Sequence, residues 1–519
     1  MAFCDSHVPL ARLFNSVLWP LPAPGVIFSM ALILVWYIRS WYRLRHIPGP
    51  LLNSISIAPM NIMTLGGKLS FKLKDLGDKY GSLVRVGPNE VLFGDADTYR
   101  TISAVRSDFV KGPWYALSKV VPDQDSLFSL RDDQERKELK AKLSPGYSGR
   151  ENGGFEPGVD RIVAQFINLI KSKYISTSNS FRPIEFSHKS QYFALDVVSE
   201  LSFGEALGFL AEDKDLFSYV ETNDQIFPVL AVMLNIPWLG IMMQRWPLNK
   251  LLPFESDKFG FGRLMGMAKT LVDKSLAAGS NENYMIQSHL RNGLTYKELL
   301  AEIFLELIAG SDSTATAIRM TMLCLLTTPT ALNQLRQEIA AGIARGLISS
   351  PVRDAEARQL PYLQAVIKEG LRLYPPSTGL NYKQVAKGGT QLCGQFLPEG
   401  TQLGVNIQKV MRSKETFGPD ADVFRPERWL EAAGDEERFR EMTSVVDLAF
   451  GHGRFQCLGK TIAAMELNKI FVELWRRFDF AVVKPQEPLT LYDAAFWVTT
   501  DFWLRVTETG AAEETGVMH

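Results

Sequence analysis

The sequence predicts a mainly α-helical protein with small β-sheets, preceded by an N-terminal membrane anchor helix. Three observations predict it. A segment of about 33 residues starting at Thr295 keeps an apolar helical pattern, roughly 50 Å at the standard rise. The strand-like runs are short and punctuated by Gly and Pro. Residues Leu13 to Ile38 carry no charged side chain.

The chain has 519 residues, 46% of them apolar, enough for a large core. Its net charge of −1 argues against nucleic acid as a partner. The four cysteines (Cys4, Cys324, Cys393, Cys457) are scattered, as in a reduced compartment without a disulfide framework. No HExxH and no Cys/His cluster occurs, so an all-protein zinc or copper site is not expected.

Residues 1–45 read as the anchor and its basic flank, and residues 46–519 as one domain. A helix from Pro24 to Ile38 would rise only about 22 Å, so the uncharged stretch before it must contribute to any span. Arg39, Arg43 and Arg45 follow the apolar run, and Trp36, Tyr37, Trp41 and Tyr42 fit an interfacial belt. That order keeps the following domain cytosolic, and membrane lipid becomes a partner. Ile47 to Pro50 form a stiff turn between anchor and domain.

Within the domain, Gly81 to Gly94 reads as a hairpin around Gly87-Pro88-Asn89. The charged run from Ser129 reads as a helix ending before Pro145, and Phe193 to Phe203 as an apolar helix capped by Gly204. In the long central helix Thr295 and Glu298 form a capping box and Pro329 stops it. Its centre, Ala309 to Thr314, places a glycine, an acid and three hydroxyls in an apolar helix. That is either a kink made by Gly310 and hydroxyl back-bonding, or a point where a ligand meets the backbone and needs protons. Residues 388–407 are β-rich, and the acidic tail after Val506 is expected to fray.

The stretch "FGHGRFQCLGKT" admits three readings: a phosphate loop, a metallated cysteine or a plain turn. A phosphate loop needs a glycine five residues before the Gly of GKT, where Arg454 stands; Gly453 is six before. Cys457 instead lies among Phe450, Gly451, Gly453 and Gly459, just before an amphipathic helix. A helix N-terminus is expected to lower its thiol pKa. A lone thiolate suits a cofactor that brings its own remaining ligands, as heme does.

Four motifs in order give the chain its resemblance to the cytochrome P-450 family of heme-thiolate monooxygenases, over about residues 46 to 505. They are "AGSDST", "KEGLRLYPP", "FRPERW" and "FGHGRFQCLG". The resemblance implies that fold, with the long helix over heme and the Cys loop beneath. It implies Cys457 as axial iron ligand, with Phe450, Gly451, Gly453, Arg454 and Gly459 in the loop. Glu369, Arg372 and Arg428 become a buried structural set, and Asp312, Ser313 and Thr314 the catalytic proton relay. Lys140 and Lys383 stand where the family often has propionate-binding arginines. Arg454 lies three residues before the cysteine rather than the family's usual two, with Phe455 in that place. Candidate pocket walls are Phe304, Leu305, Ile308, Ser377, Thr378, Leu380, Phe496 and Trp497. The implied function is insertion of one atom of O2 into a lipophilic small molecule of fungal secondary metabolism: a terpenoid, alkaloid or polyketide. Electrons would come from NADPH through a separate flavoprotein reductase, at the endoplasmic reticulum with the domain facing the cytosol. The alternatives are a non-oxygenating reaction on the same fold (desaturation, ring coupling, isomerisation) or a non-catalytic heme protein.

Overall fold

A computed structural model describes residues 23–119, 121, 124–150, 154–278 and 284–509. Its core is organised on the helix Tyr296–Leu326. Thr295 caps it as expected: its hydroxyl accepts from the Glu298 N–H while the Glu298 carboxylate accepts from the Thr295 N–H. The helix is continuous, so the polar centre produces no break. Ser311 and Ser313 donate back to the carbonyls of Leu307 and Ala309, both at 2.7 Å. Gly310 serves close packing: a Cβ there would come within 3.0 Å of Val198 on the neighbouring helix Phe186–Phe203. That neighbour starts seven residues earlier than the apolar run suggests, because the Glu185 carboxylate accepts the His188 N–H at its N-terminus. Gly204, at φ 81°, ends it as anticipated.

The expected hairpin forms, pairing Leu83–Arg85 with Glu90–Phe93 antiparallel. It extends into a five-stranded sheet through Gln402–Val405, Lys383–Gln384 and Val110–Lys111, in that order. The β-rich stretch also supplies a small hairpin, Thr390–Leu392 with Gln395–Leu397. Near the C-terminus Thr490–Asp493 pairs with Trp497–Thr500, and Trp503–Glu508 lies between Phe478–Val482 and Ile184–Glu185. The strand through Glu508 carries order past Val506; the tail beyond 509 lies outside the described residues.

The charged helix runs Asp133–Tyr147 and holds Pro145 in its last turn, where a stop was expected before the proline. One missing N–H bond near a helix end is tolerated, and the Ser148 N–H still reaches the Pro145 carbonyl at 3.2 Å.

At the N-terminus Ala23–Arg43 is helical and exposes Ile27, Phe28, Leu32, Leu34, Val35 and Ile38. Among the described residues no single helix is long and apolar enough to cross a membrane. The segment 13–22 expected to lengthen it lies outside the described residues. The last turn is fastened to the sheet by Arg85, which is buried and donates to the carbonyls of Ser40 (3.2 Å) and Trp41 (3.1 Å). A cation on a helix C-terminus is favourably placed.

Candidate functional site

Cys457 follows a tight loop and precedes the helix Lys460–Trp475. Two glycines make that loop. Gly451 sits at φ 76°, and a Cβ there would meet the Phe455 carbonyl oxygen at 2.6 Å. Gly453, at φ 54°, presses on the Ser103 carbonyl, 2.4 Å from where a Cβ would stand. The Cys457 N–H donates to the Phe450 carbonyl at 2.7 Å, closing the loop. Gly459 lies just beyond, where a Cβ would stand 3.8 Å from the thiol sulfur. The Cys457 side chain is exposed, and the N–H groups of Gly459 and Lys460 donate to its sulfur. Burial of the surrounding pocket nevertheless pushes the thiol pKa up. The two N–H groups and the charges of Lys140 and Lys460 pull it back only in part. The helix terminus thus lowers the thiol pKa as expected, but burial outweighs it; a metal cation on the sulfur would complete the shift.

Beside the loop lies a cluster of cations around the Phe455 ring. Lys383 Nζ is 4.3 Å from its centroid, Arg136 Cζ 4.7 Å and Arg454 Cζ 4.9 Å. Arg454 turns to Asp133 (2.9 Å) and the Phe109 carbonyl. Arg136 bonds Asp133 (3.0 Å) and the Arg454 carbonyl (2.9 Å). Lys140 donates to the Arg454 and Gln456 carbonyls at 3.1 and 3.5 Å, so it clamps the loop backbone. Lys383 has only neutral partners, the Tyr115 hydroxyl (2.8 Å) and the Asn381 carbonyl (3.0 Å). Burial, then Arg136 and Arg454, push its pKa down to about 7. Lys111, which the sequence reading did not single out, is buried nearby and held by the carbonyls of Leu127 and Phe128, both at 2.8 Å. Nothing in "DFVKGPW" signals it, because a lysine before Gly-Pro has no periodicity to betray burial.

Among the described residues, Asp133 is the one carboxylate ion-paired with Arg136 and Arg454, and Lys111 and Lys383 have none. The Nε atoms of Arg136 and Arg454 are buried without acceptors. Unsatisfied buried donors and surplus positive charge fit a ligand carrying two carboxylates. Heme carries two propionates, so the donor set fits it.

Across the fold, the central helix exposes one stripe. Ala309 is exposed, flanked by half-buried Ile308 and Gly310, and Leu305 and Ser313, one turn to either side, are half-buried too, while the rest of the stretch is buried. Asp312 borders the stripe. Its oxygens accept from Gln191 Nε2 (2.6 Å) and Asn223 Nδ2 (3.2 Å), and burial pushes its pKa up to about 7 against the pull of Arg319. Thr314 is buried. Gln191 and Asn223 were not anticipated, since they reach Asp312 from two other helices.

The proposed pocket walls divide. Leu305, Ile308, Ser377 and Phe496 retain accessible surface. Phe496 packs tilted against Phe227, ring centroids 5.3 Å apart, and bridges to Ser377. The others are core. Phe304 is fully buried against Phe261, ring centroids 5.0 Å apart, on the far side of the helix. Leu380 packs among Val84, Leu92 and Tyr382. The Thr378 hydroxyl donates to buried Asp493 at 2.6 Å. Trp497 sits between Phe71 and Tyr374 and donates to the Pro375 carbonyl at 2.8 Å.

Glu369, Arg372 and Arg428 are each fully buried. Glu369 accepts from Arg372 at 2.9 and 2.7 Å, from Arg428 at 2.9 Å and from the Trp429 indole at 3.0 Å. The arginines also take the carbonyls of Met411 and Val423.

Comparisons with known proteins point to one family. The family model for Cytochrome P450 matches residues 50–501. A cytochrome P450 monooxygenase ABA1 of Pyricularia oryzae is 38% identical over 482 residues, covering 91% of this chain and 94% of its own. A cytochrome P450 monooxygenase aba1 of Botryotinia fuckeliana is 35% identical over 477 residues, covering 91% and 93%. A cytochrome P450 monooxygenase abl1 of Leptosphaeria maculans is 36% identical over 469 residues, covering 88% and 82%.

Proposed function

Because this chain belongs to the cytochrome P450 family and is a monooxygenase, we propose that it oxidises a lipophilic small molecule of fungal secondary metabolism at the site just described. Bound there, heme supplies reductive activation of O2, using two electrons and two protons to place one oxygen atom in the substrate and the other in water.

The observation that carries this reading is the open Cys457 sulfur, held by two backbone N–H groups beside a surplus of buried cations. Cys457 would be the iron ligand. Lys111, Lys383, Arg136 and Arg454 would neutralise the propionates, with Phe455 spacing three of them and Lys140 holding the loop. Asp312 would keep a proton near neutral pH, and the Ser313 hydroxyl stands on the exposed stripe to pass it inward. Leu305, Ala309, Ile308 and Phe496 give the substrate a mostly apolar wall. Electrons would come from NADPH through a separate flavoprotein reductase.

The test is product analysis with isotopically labelled O2. The purified holoenzyme, a fungal reductase and NADPH would be incubated with a panel of terpenoids, polyketides and alkaloids. The expected result is one labelled oxygen in the product of at least one compound. Turnover to products that never carry label would replace oxygen insertion with desaturation or ring coupling.

Localisation to the endoplasmic reticulum membrane is proposed from a second surface. Leu51, Leu52, Ile55, Ile62 and Leu65 are exposed just after the N-terminal helix. Trp238, Met242 and Trp246 are exposed on a segment joined to them by the Asn235–Asn61 hydrogen bond of 3.1 Å. An apolar face continuous with an apolar helix fits lipid. Replacing Trp238 and Trp246 by Ser should lower flotation of a chain lacking residues 1–43 with phosphatidylcholine vesicles by about tenfold, while leaving its heme spectrum unchanged. Unchanged flotation would remove this surface from the membrane contact.

A further inference from the structure

Phe496 sits on the tip of a hairpin. The tip is only three residues long, Ala494 to Phe496, between the paired residues Asp493 and Trp497. Ala495 stands at φ 72°, a backbone conformation that a residue with a Cβ keeps only where its surroundings hold it. Ala494 and Ala495 are buried in one cluster with Ala231, and Tyr492 and Phe496 pack against it. Gly379 makes room for the tip: a Cβ there would stand 3.4 Å from the Ala495 Cβ.

Both strands of the hairpin are fastened just below the tip. On one, the Trp497 indole donates to the Pro375 carbonyl at 2.8 Å. On the other, Asp493 is fully buried, and its carboxylate accepts from the Thr378 hydroxyl and from the Ser70 N–H, both at 2.6 Å. Ser70 lies in the first turn of the helix Leu69–Tyr80, whose preceding residue, Lys68, supplies no side-chain cap. Asp493 thus takes up an N–H that the helix leaves free, from 423 residues along the chain, and its negative charge suits that terminus.

The neighbouring backbone is tied the same way. The Asp493 N–H donates to the Gly67 carbonyl and the Thr378 N–H to the Ala495 carbonyl, both at 2.9 Å. The Tyr492 hydroxyl donates to the Leu65 carbonyl at 2.8 Å. Thr378 is therefore bound to the hairpin by its backbone and its hydroxyl, and Ser377 beside it bridges to Phe496. A buried carboxylate is costly unless it is well hydrogen-bonded. The bonds that satisfy this one join three segments: the turn before Leu69, the stretch at Ser377 and Thr378, and the hairpin tip.

We propose that Asp493 is the positioning residue of the substrate pocket: it fixes Phe496 relative to Ser377 and so sets which shapes of lipophilic substrate the wall accepts. This rests on the reading of Ser377 and Phe496 as pocket wall. The Phe496 ring leans on Phe227 of the helix Tyr219–Leu234 and keeps accessible surface. With Asp493 in place the ring is ordered before a substrate arrives, so binding loses little entropy in ordering it. Without the carboxylate, the Ser70 N–H and the Thr378 hydroxyl lose their acceptor, Ala495 is free to leave its left-handed conformation, and the ring gives up its fixed place.

The experiment measures the dissociation constants of imidazole and phenylimidazole on the holoenzyme, from the absorption change of the heme. Both bind iron through the azole nitrogen, so the ratio of their constants reads what the wall gains from the phenyl ring. In Asp493→Ala that gain should fall by about fivefold, the size of one lost aromatic contact, with imidazole affinity and heme content at wild-type level. Asp493→Asn, whose amide accepts from Ser70 and donates to the Thr378 hydroxyl, should restore it. Phe496→Ala should lower it as Asp493→Ala does. A role confined to stability would lower the melting temperature of Asp493→Ala and leave the ratio at its wild-type value. That result, with the ratio lowered in Phe496→Ala, overturns the positioning role alone. A wild-type ratio in both overturns the reading of Phe496 as pocket wall. A loss in Asp493→Asn equal to that in Asp493→Ala overturns positioning by hydrogen bonds. Where Asp493→Ala fails to hold heme, Thr378→Val decides. It deletes the hydroxyl donor and keeps that of Ser70, so the gain should fall by about twofold, and a wild-type ratio overturns the proposal.

Discussion

Replacing Glu369 by Ala should prevent the protein from accumulating as a folded, heme-loaded enzyme. Glu369 is fully buried and is the shared acceptor for Arg372, Arg428, the Trp429 indole and the Arg425 N–H. Its removal strands two buried guanidinium groups, and breaking a buried pair costs about 3–5 kcal/mol. Native domains hold only about 5–15 kcal/mol, so the loss takes much of the total. The helix carrying Glu369, Pro361–Leu373, packs against Glu436–Asp447, which leads directly into the Cys loop. The damage should therefore reach the thiol. The check is soluble yield and thermal unfolding; a variant melting within a degree or two of wild type would contradict the assignment. The pH dependence has a definite sign. The Arg372 and Arg428 charges hold the Glu369 pKa below the ordinary carboxylate value despite burial. Its stabilisation is thus complete above the unfolded value of about 4.3 and is lost as pH falls through the lower folded value.

Asp312→Asn should slow turnover by about 10²–10⁴-fold, the range a positioned acid contributes, while heme content stays at wild-type level. It should also stabilise the protein above neutral pH. Burial raises the Asp312 pKa to about 7. The stability of the protonated form is fully present below the unfolded value of about 3.9 and is lost as pH rises through about 7. The asparagine avoids that loss, so its melting advantage over wild type should grow from pH 5 to pH 7 and then level off. An acid kept at a cost to stability fits a functional site. Turnover within twofold of wild type, measured as O2 consumption with the reductase, would take Asp312 out of the relay.

Local signals made much of this legible in the sequence. The Thr295 cap, the hairpin around Gly87-Pro88-Asn89 and the Gly204 terminus depend on neighbours a few residues away, and each forms as expected. Glu369 and Arg372 were recognisable at i, i+3, although Trp429 completing their cage was not. What could not be read was reach across the chain. Arg454 finds Asp133, Lys111 finds the carbonyls of Leu127 and Phe128, and Asp312 finds Gln191 and Asn223, all through tertiary packing without sequence periodicity. Phe304 was misassigned for the same reason. An apolar residue on an all-round apolar helix looks alike facing core or pocket, and only the packing of Phe261 decides. The Cys457 thiol shows the energetic version. The helix N-terminus was visible, but the burial that outweighs it was not.

The central claim is that Cys457 holds the heme iron through its sulfur. The most direct measurement is the absorption spectrum of the reduced, CO-bound protein, recorded for wild type and for Cys457→Ser. The account predicts a thiolate-type Soret band in wild type and its loss in the serine variant. The same thiolate-type band persisting in Cys457→Ser would contradict it.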